Sequence, residues 1–417
     1  MRHLFILLFT LSPLGWAEVK IVPAGNGFQL LRNGEKYFIN GAGGMRSMEL
    51  LPPAKANSVR SWSPPTDADM NKAHSLGLSV MVGLPVGKPR QGFDYSDAAA
   101  VRKQRERVRE LVRAYKDHPA VLIWALGNES ELRAGEQTRI VLWKEIEELA
   151  RIVKQEDKSH PVITVLAGVG RSNLVELIQH CPSLDAVGIN TYGGMLKLPQ
   201  AVQAQGWKKA WMVTEFGPRG HWEVDKTPWG LPIEDTSTEK AGFYAKAYQA
   251  GIKGQPACLG SYVFLWGQKQ EKTHTWYGLF LPEGEQLNPV DVMTEGWSGK
   301  PPANRAPRTG RIELSGAIES GRGWARVKTG QKLPITVQAD DPDGDLPFIT
   351  WDLRKDVSDN PNTGGDREPA VEPIEGAIEG SNVVIPKEPG NYRLFVYARD
   401  GKGKAATANV ALRAEGQ

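Results

Sequence analysis

Two glutamates terminate apolar runs where a pair of carboxyl groups could do acid–base chemistry. The run VLIWAL at 121–126 breaks into Gly127, Asn128 and Glu129, and WMVTEFG at 211–217 carries Glu215. Cleavage of a glycosidic bond needs two such groups: a protonated carboxyl donates to the leaving oxygen while a carboxylate attacks or activates water. A separation of about 5 to 5.5 Å corresponds to a retaining route through a covalent intermediate. Burial of one carboxyl beside the charge of the other drives their proton affinities apart, giving one acid and one nucleophile near neutral pH. A lone glutamate after a strand is most often a solvated surface residue. Two of them, one preceded by Gly-Asn and one followed by Phe-Gly, form a more specific pattern.

The other candidates fall just after apolar runs. Tyr192 follows Asn190 at the end of INTY, and Trp62 ends the run SVRSW. The segment Gln268 to His274 is unusually polar, which makes Lys269 and Glu271 candidates for sugar hydroxyl contacts, although a solvated loop reads the same. Glu49 is a weaker candidate after the first strand, and Trp276 reads equally well as hydrophobic filling. No pair among the seven histidines has the spacing of a helical metal site, so neither a catalytic metal nor a cofactor is expected. The 13 tryptophans suit stacking on sugar rings or plain core packing.

Short apolar runs at 37–42, 58–62, 79–84, 121–126, 162–167, 185–190, 211–216 and 260–266 read as strands. Helical periodicity is clearest at 97–116, 137–156 and 238–253. Eight strands alternating with helices predict an α/β fold, a (β/α)8 TIM barrel, whose functional groups project from the C-terminal strand ends. A doubly wound open sheet competes less well, because INGAGG lacks the spacing of a dinucleotide loop. Asn33-Gly34 between two apolar runs predicts a hairpin ahead of the barrel. Proline and cations at 299–311 read as a linker, with the barrel domain at 18–298 before it. The alternating runs of 312–417 predict a small all-β, immunoglobulin-like sandwich. Its acidic run Asp340 to Asp345 lacks calcium-loop spacing and reads as a solvated turn.

Residues 1–17 combine a basic start, an apolar run and Gly15-Trp16-Ala17, the pattern of a secretory signal peptide. Export to the periplasm or the extracellular space is therefore expected, with no stable membrane insertion after cleavage. A formal net charge of +3 over 417 residues gives no nucleic-acid footprint. Cys181 and Cys258 cannot make a disulfide framework; a single bridge between them is open, with two buried unpaired cysteines the favoured reading.

HPAVLIWALGNES resembles the acid/base motif of glycoside hydrolase family 2, and WMVTEFG resembles the nucleophile motif of that family and its wider clan A. The resemblance implies a retaining β-glycosidase with Glu129 as acid/base and Glu215 as nucleophile. It also implies that Arg60 sits beside the nucleophile, that Tyr192 bonds to it, and that Trp266 floors the first sugar site. Asn128 would bind the sugar 2-hydroxyl. The family's usual β domains ahead of the barrel have no counterpart here, which favours an open, endo-acting groove. The expected partner is a β-linked oligo- or polysaccharide, first a β-glucan, then a mannan or galactoside. Transfer to an acceptor sugar would use the same pair. A non-catalytic glycan-binding protein or adhesin is the alternative from another class. The C-terminal module is expected to act as a spacer or to dock on cell-surface glycan.

Overall fold

The computed structural model describes residues 17–170, 173–361 and 368–416. The segment read as a signal peptide lies outside them except for Ala17. Three antiparallel strands come first: β1 (Val19–Ala24), β2 (Gly27–Arg32) and β3 (Glu35–Tyr37). β2 and β3 meet at Asn33 and Gly34, whose φ angles of 53° and 81° supply the left-handed pair of a two-residue hairpin turn. Val19 N–H donates to Ser159 O and Phe28 N–H to Pro256 O, both on segments that lead into barrel strands. Val19 and Leu30 share a core cluster with Ile123, Met212 and Tyr262, so this small sheet plugs the bottom of the barrel.

Eight parallel strands close on themselves: β4 (Ile39–Gly43), β5 (Ser58–Arg60), β6 (Ser79–Leu84), β7 (Val121–Leu126), β8 (Val162–Ala167), β9 (Ala186–Asn190), β10 (Ala210–Phe216) and β11 (Cys258–Val263). They read as near-continuous apolar runs because both faces are covered. In β7, Trp124 and Leu126 join the outer core under the helices, while Ile123 and Ala125 fill the barrel. β11 stops at Val263, three residues before the expected end, so Phe264 to Trp266 already belong to the rim.

Helices α1 (Asp67–Ser75), α2 (Ala98–Tyr115), α3 (Glu136–Glu156), α4 (Asn173–His180), α5 (Leu198–Ala204), α6 (Ser237–Gly251) and α7 (Asn288–Ser298) follow β5 to β11 in turn. A short 3-10 turn at Met48–Leu50 takes the place after β4. The chain marks the starts chemically. Thr66 with Asp69 and Thr236 with Glu239 form capping boxes at α1 and α6, and Asp97 caps α2. Each cap satisfies amide donors that the helix cannot, worth about 1 kcal/mol.

Beyond α7, two sheets stack into a sandwich around Leu353, Val383, Leu394, Val396, Val410 and Leu412. The module is docked on the barrel. Gln286 and Leu287 pair in parallel with Lys404 and Ala405. Thr407 N–H donates to Ser237 Oγ at 2.8 Å, and Lys404 pairs with Asp291 at 2.5 Å. The proline-rich segment is tied down as well. Asn288 Nδ2 donates to Pro307 O at 2.6 Å, and Thr309 N–H donates to Thr238 Oγ1 at 3.0 Å. Acidic-turn residues Asp343 and Asp345 pair with Arg305 and Lys402. Cys181 and Cys258 are buried and free. Among the described residues no helix is long and apolar enough to cross a membrane.

Candidate active site

Strict alternation along β10 would turn Glu215 away from the barrel mouth, because Ala210 and Met212 face inward. The register with β9 shifts between Val213 and Glu215, and the register with β11 shifts over the same stretch. Such an irregularity re-aims a side chain, and here it delivers Glu215 to the cleft. Glu215 Oε1 accepts from Trp62 Nε1 at 2.6 Å and from Arg60 Nη1 at 3.1 Å, while Oε2 accepts from the Tyr192 hydroxyl at 2.9 Å. Three donors, one of them cationic, thus converge on its two oxygens.

Glu129 reaches the same cleft by a different device. β7 ends at Leu126, and Gly127 and Glu129 both adopt left-handed backbone conformations, with φ of 70° and 52°. For a glutamate this costs on the order of 1 kcal/mol and persists only where the surroundings fix it. Glu129 N–H donates to Val165 O at 3.0 Å, and Asn190 Nδ2 donates to Glu129 Oε1 at 2.8 Å. Burial, and then the charge of Glu215, push the Glu129 carboxyl above the usual carboxylate range.

A buried network holds the two glutamates in one frame. Arg60 is 1% exposed; its Nη2 donates to Asn128 Oδ1 at 2.6 Å and its Nη1 to Thr214 O at 2.5 Å. Asn190 Nδ2 also donates to Asn128 Oδ1 at 3.0 Å, and Thr214 Oγ1 donates to Asn190 Oδ1 at 2.8 Å. Residues from β5, β7, β9 and β10 are thereby locked together under a cleft of about 1070 Å³.

Of the residues singled out in the sequence, Trp62, Asn128, Glu129, Asn190, Tyr192, Glu215, Lys269 and Glu271 line this cleft, and Arg60 lies beneath it. Lys269 pairs with Glu271 at 2.6 Å in the segment after β11. One expectation fails, for Trp266, and two weaker candidates, Trp276 and Glu49, take their alternative reading. Trp266 borders the cleft, but its side chain is fully buried against Phe280 and Trp297 and its Nε1 donates to Ser47 O, so it offers no face to a sugar. Trp276 is likewise enclosed and donates to Arg219 O. Glu49 pairs with Lys72 on the surface, away from the cleft.

Other lining residues escaped sequence reasoning. Trp222 is 57% exposed and stands edge-on to Tyr192 and His221, which makes it the aromatic wall that Trp266 was expected to supply. Burial pushes His221 down to about 4, leaving it neutral, and its Nδ1 is 3.1 Å from the Tyr277 hydroxyl. Arg46, Lys88, Arg90 and Arg133 also line the cleft. The polar cluster Lys88-Pro89-Arg90 after an apolar run was the available signal. Just behind Glu129, Glu131 accepts from Ala167 N–H at 2.7 Å, and burial pushes it up to about 7.

The family comparison bears on this barrel directly: residues 68–218 match the family described as glycosyl hydrolases family 2, TIM barrel domain. The chain resembles the catalytic barrel of glycoside hydrolase family 2. Solved structures share the fold. A Faecalibacterium prausnitzii β-glucuronidase is 20% identical, with 68% of this chain and 52% of that one covered at a TM-score of 0.53. A family 2 β-galacturonidase from Eisenbergiella tayi, bound to galacturonate, is 16% identical, covering 68% and 54% at 0.52. Bacteroides uniformis β-glucuronidase 2, covalently bound to cyclophellitol-6-carboxylate aziridine, is 14% identical, covering 96% and 48% at 0.53. The chain thus spans about half the length of these structures. No curated protein matches the chain.

Proposed function

We propose that the chain is a retaining β-glycoside hydrolase in which Glu215 is the nucleophile and Glu129 the acid/base. The observation that carries this reading is the asymmetry of two carboxyls in one cleft. Glu215 is held by donors from Arg60, Trp62 and Tyr192, while burial and the Glu215 charge raise the proton affinity of Glu129 above that of an ordinary carboxyl. In the first step Glu215 bonds to the anomeric carbon as the glycosidic C–O bond breaks, and the Glu129 proton passes to the departing oxygen. In the second step Glu129 takes a proton from water as that water displaces Glu215, restoring the original anomeric configuration. A sugar hydroxyl in place of water would give transglycosylation. Asn128 spends its carbonyl on Arg60 and Asn190, so its amide hydrogens are what it offers a sugar hydroxyl. Export, read from residues 1–17, belongs to the same proposal and would bring the enzyme to periplasmic or extracellular glycan.

The test is product release from β-glucans, mannans and galactans, with uronides added because similar structures are named as β-glucuronidase and β-galacturonidase. Glu215→Gln is expected to abolish turnover while binding persists, because an amide keeps the volume and loses the nucleophile. Glu129→Ala should lose on the order of 10²- to 10⁴-fold with poor leaving groups and far less with activated aryl glycosides. Shorter products of retained anomeric form mean hydrolysis, and longer ones mean transfer. Glycan binding with no Glu215-dependent product on any substrate would overturn the enzyme reading in favour of a binding protein.

A further inference from the structure

A second cavity, of about 220 Å³, lies where the C-terminal module meets the segment after β10. Its apolar wall is Trp324 with Ile233. Trp324 is half-buried and stands on a hairpin of strands Glu319–Gly321 and Trp324–Lys328, where Trp229 braces it edge-on at 5.6 Å. The hairpin turn fits closely on the barrel segment, since a Cβ at Gly323 would come within 2.6 Å of Ile233. The guanidinium groups of the lining are held in place. Arg219 pairs with Asp235 at 2.8 Å, and Arg311 and Arg322 pair with Glu239 at 2.6 and 3.1 Å. Asp225 and Lys226 complete the lining; both are exposed, and among the described residues their side chains make no hydrogen bond or ion pair.

An aromatic ring beside a few placed polar groups is the chemistry that takes a sugar: the ring covers the C–H face of a pyranose while the polar groups bond its hydroxyls. The place of the cavity points the same way. Glu223 lines the catalytic cleft and Asp225 lines the second cavity. Successive Cα atoms are 3.80 Å apart, so these two lie within about 7.6 Å of each other. A glycan that leaves the cleft past Trp222 and Glu223 therefore meets the second cavity within a few sugar units. Resting on the glycosidase reading above, we propose that this cavity is a secondary glycan-binding site, in which Trp324 stacks on one sugar ring of the polysaccharide held in the cleft and Asp225 and Lys226 bond its hydroxyls. Because Trp324 comes from the C-terminal module and Asp225 and Lys226 from the barrel, the site exists only when the two are docked, and the module takes a direct part in holding substrate.

The experiment compares polymers with ligands too short to span both cavities. Binding of a soluble β-glucan, β-mannan and β-galactan, and of the disaccharide of each, is measured by calorimetry on full-length Glu215→Gln protein, which does not consume them. Trp324→Ala added to that protein should lower the ratio of polymer to disaccharide affinity about 3- to 10-fold, the scale of one aromatic contact. Asp225→Ala should lower the same ratio by a smaller factor. In protein with Glu215 intact, the ratio of kcat/KM on polymer to kcat/KM on an aryl β-glycoside should fall by a similar factor, through the KM for polymer. Polymer affinity that is unchanged by Trp324→Ala, or absent altogether, overturns the proposal and makes the cavity a gap between docked domains. Equal losses on polymer and disaccharide also overturn it, because Trp324 would then act through the cleft. If Trp324→Ala fails to fold, Asp225→Ala and Lys226→Ala carry the same comparison, since both side chains are exposed. Release from the aryl glycoside, with Glu215→Gln as blank, tests the glycosidase reading separately. Trp324-dependent polymer binding without any Glu215-dependent turnover would support the site and strike that reading.

Discussion

The Trp62 indole and the Arg60 guanidinium donate to the same oxygen of Glu215, at 2.6 and 3.1 Å. The Trp62 ring also lies 5.4 Å from the Arg60 guanidinium and edge-on to Phe264. Its seat depends on glycine: a Cβ at Gly43 would come within 2.9 Å of the indole ring. The position of the proposed nucleophile is thus set partly by a residue on β4, far from β10 in the sequence.

Trp62→Phe keeps most of the ring packing and deletes one donor to a buried carboxylate. Such charge-assisted bonds contribute about 1.5–3 kcal/mol, so kcat/KM should fall roughly 10- to 100-fold with little change in melting temperature. Gly43→Ala should produce a similar loss by pushing the indole off Glu215. Steady-state kinetics with an aryl β-glycoside, beside thermal melts, separates these effects. Wild-type kinetics in Trp62→Phe would mean that the indole bond does not position Glu215.

The pH profile reports Glu129. Because the acid must carry its proton and its folded-state affinity is raised, activity should fall as pH rises through a value above the ordinary carboxylate range. Asn190 donates to Glu129 and so favours its charged form. Asn190→Ala should therefore move the alkaline limb of kcat/KM to still higher pH, whatever the drop in maximal rate. A limb that stays in place or moves down would remove Glu129 from the role of acid.

Glu131 makes a prediction about stability. Its carboxyl sits at about 7 in the folded protein because burial penalises the charge, against about 4.3 in an unfolded chain. The stabilising state is the protonated one. Its contribution is complete below the unfolded value, declines as pH rises, and is gone above about 7. The span amounts to roughly 4 kcal/mol. Glu131→Gln mimics the protonated form and keeps an acceptor for Ala167 N–H, so its melting temperature should exceed wild type at pH 8 and match it near pH 4. Parallel pH dependences of the two proteins would contradict this.

Trp222 offers a binding prediction. Its exposed ring borders the cleft beside Tyr192, and a sugar laid on it would remove apolar area from water at about 25 cal/mol per Å². Trp222→Ala should raise KM about tenfold with kcat nearly unchanged and the fold intact. A fall in kcat with unchanged KM would place Trp222 in positioning the catalytic groups instead.

The barrel was legible because its strands are doubly buried and so appear as uninterrupted apolar runs such as SVMVGL and VLIWAL. Glu129 and Glu215 were legible for the related reason that a carboxyl ending such a run is conspicuous. How they reach one cleft was not. The register shift at Glu215 and the left-handed backbone at Glu129 depend on neighbouring strands, and a period-two reading alone points Glu215 the wrong way. Trp266 misled because strand order fixes the stretch of chain and not the direction of the ring, and β11 ends earlier than its apolar run. The docking of the C-terminal module was invisible because its contacts, polar pairs together with an apolar cluster of Leu281, Leu287, Phe395, Tyr397 and Ala405, join residues far apart in the chain.

That docking centres on Glu234, which is fully buried. It accepts from Lys240 Nζ at 2.5 Å, Thr273 Oγ1 at 2.6 Å, Thr275 Oγ1 at 2.9 Å and Asn409 Nδ2 at 2.7 Å. Burial opposes its charge, but Lys240 and the hydroxyl donors outweigh that and hold it below the usual carboxylate range. One carboxylate thereby ties α6, the segment after β11 and the C-terminal sandwich together. The sandwich grips that segment again through the 2.8 Å bond between His274 and Tyr397 and through Glu368 on Lys272 N–H. Lys269 and Glu271 lie at the cleft end of the same segment. Glu234→Ala strands the Lys240 ammonium without its partner, a loss of about 3–5 kcal/mol. Tyr397→Phe removes two bonds, to His274 and to Asp352, and should lose about 2–3 kcal/mol. Both should raise KM by freeing the cleft wall, Glu234→Ala the more. Thermal melts with steady-state kinetics on a soluble substrate check the pair. Loss of stability with unchanged KM would make the sandwich a support for the barrel alone, without influence on the cleft.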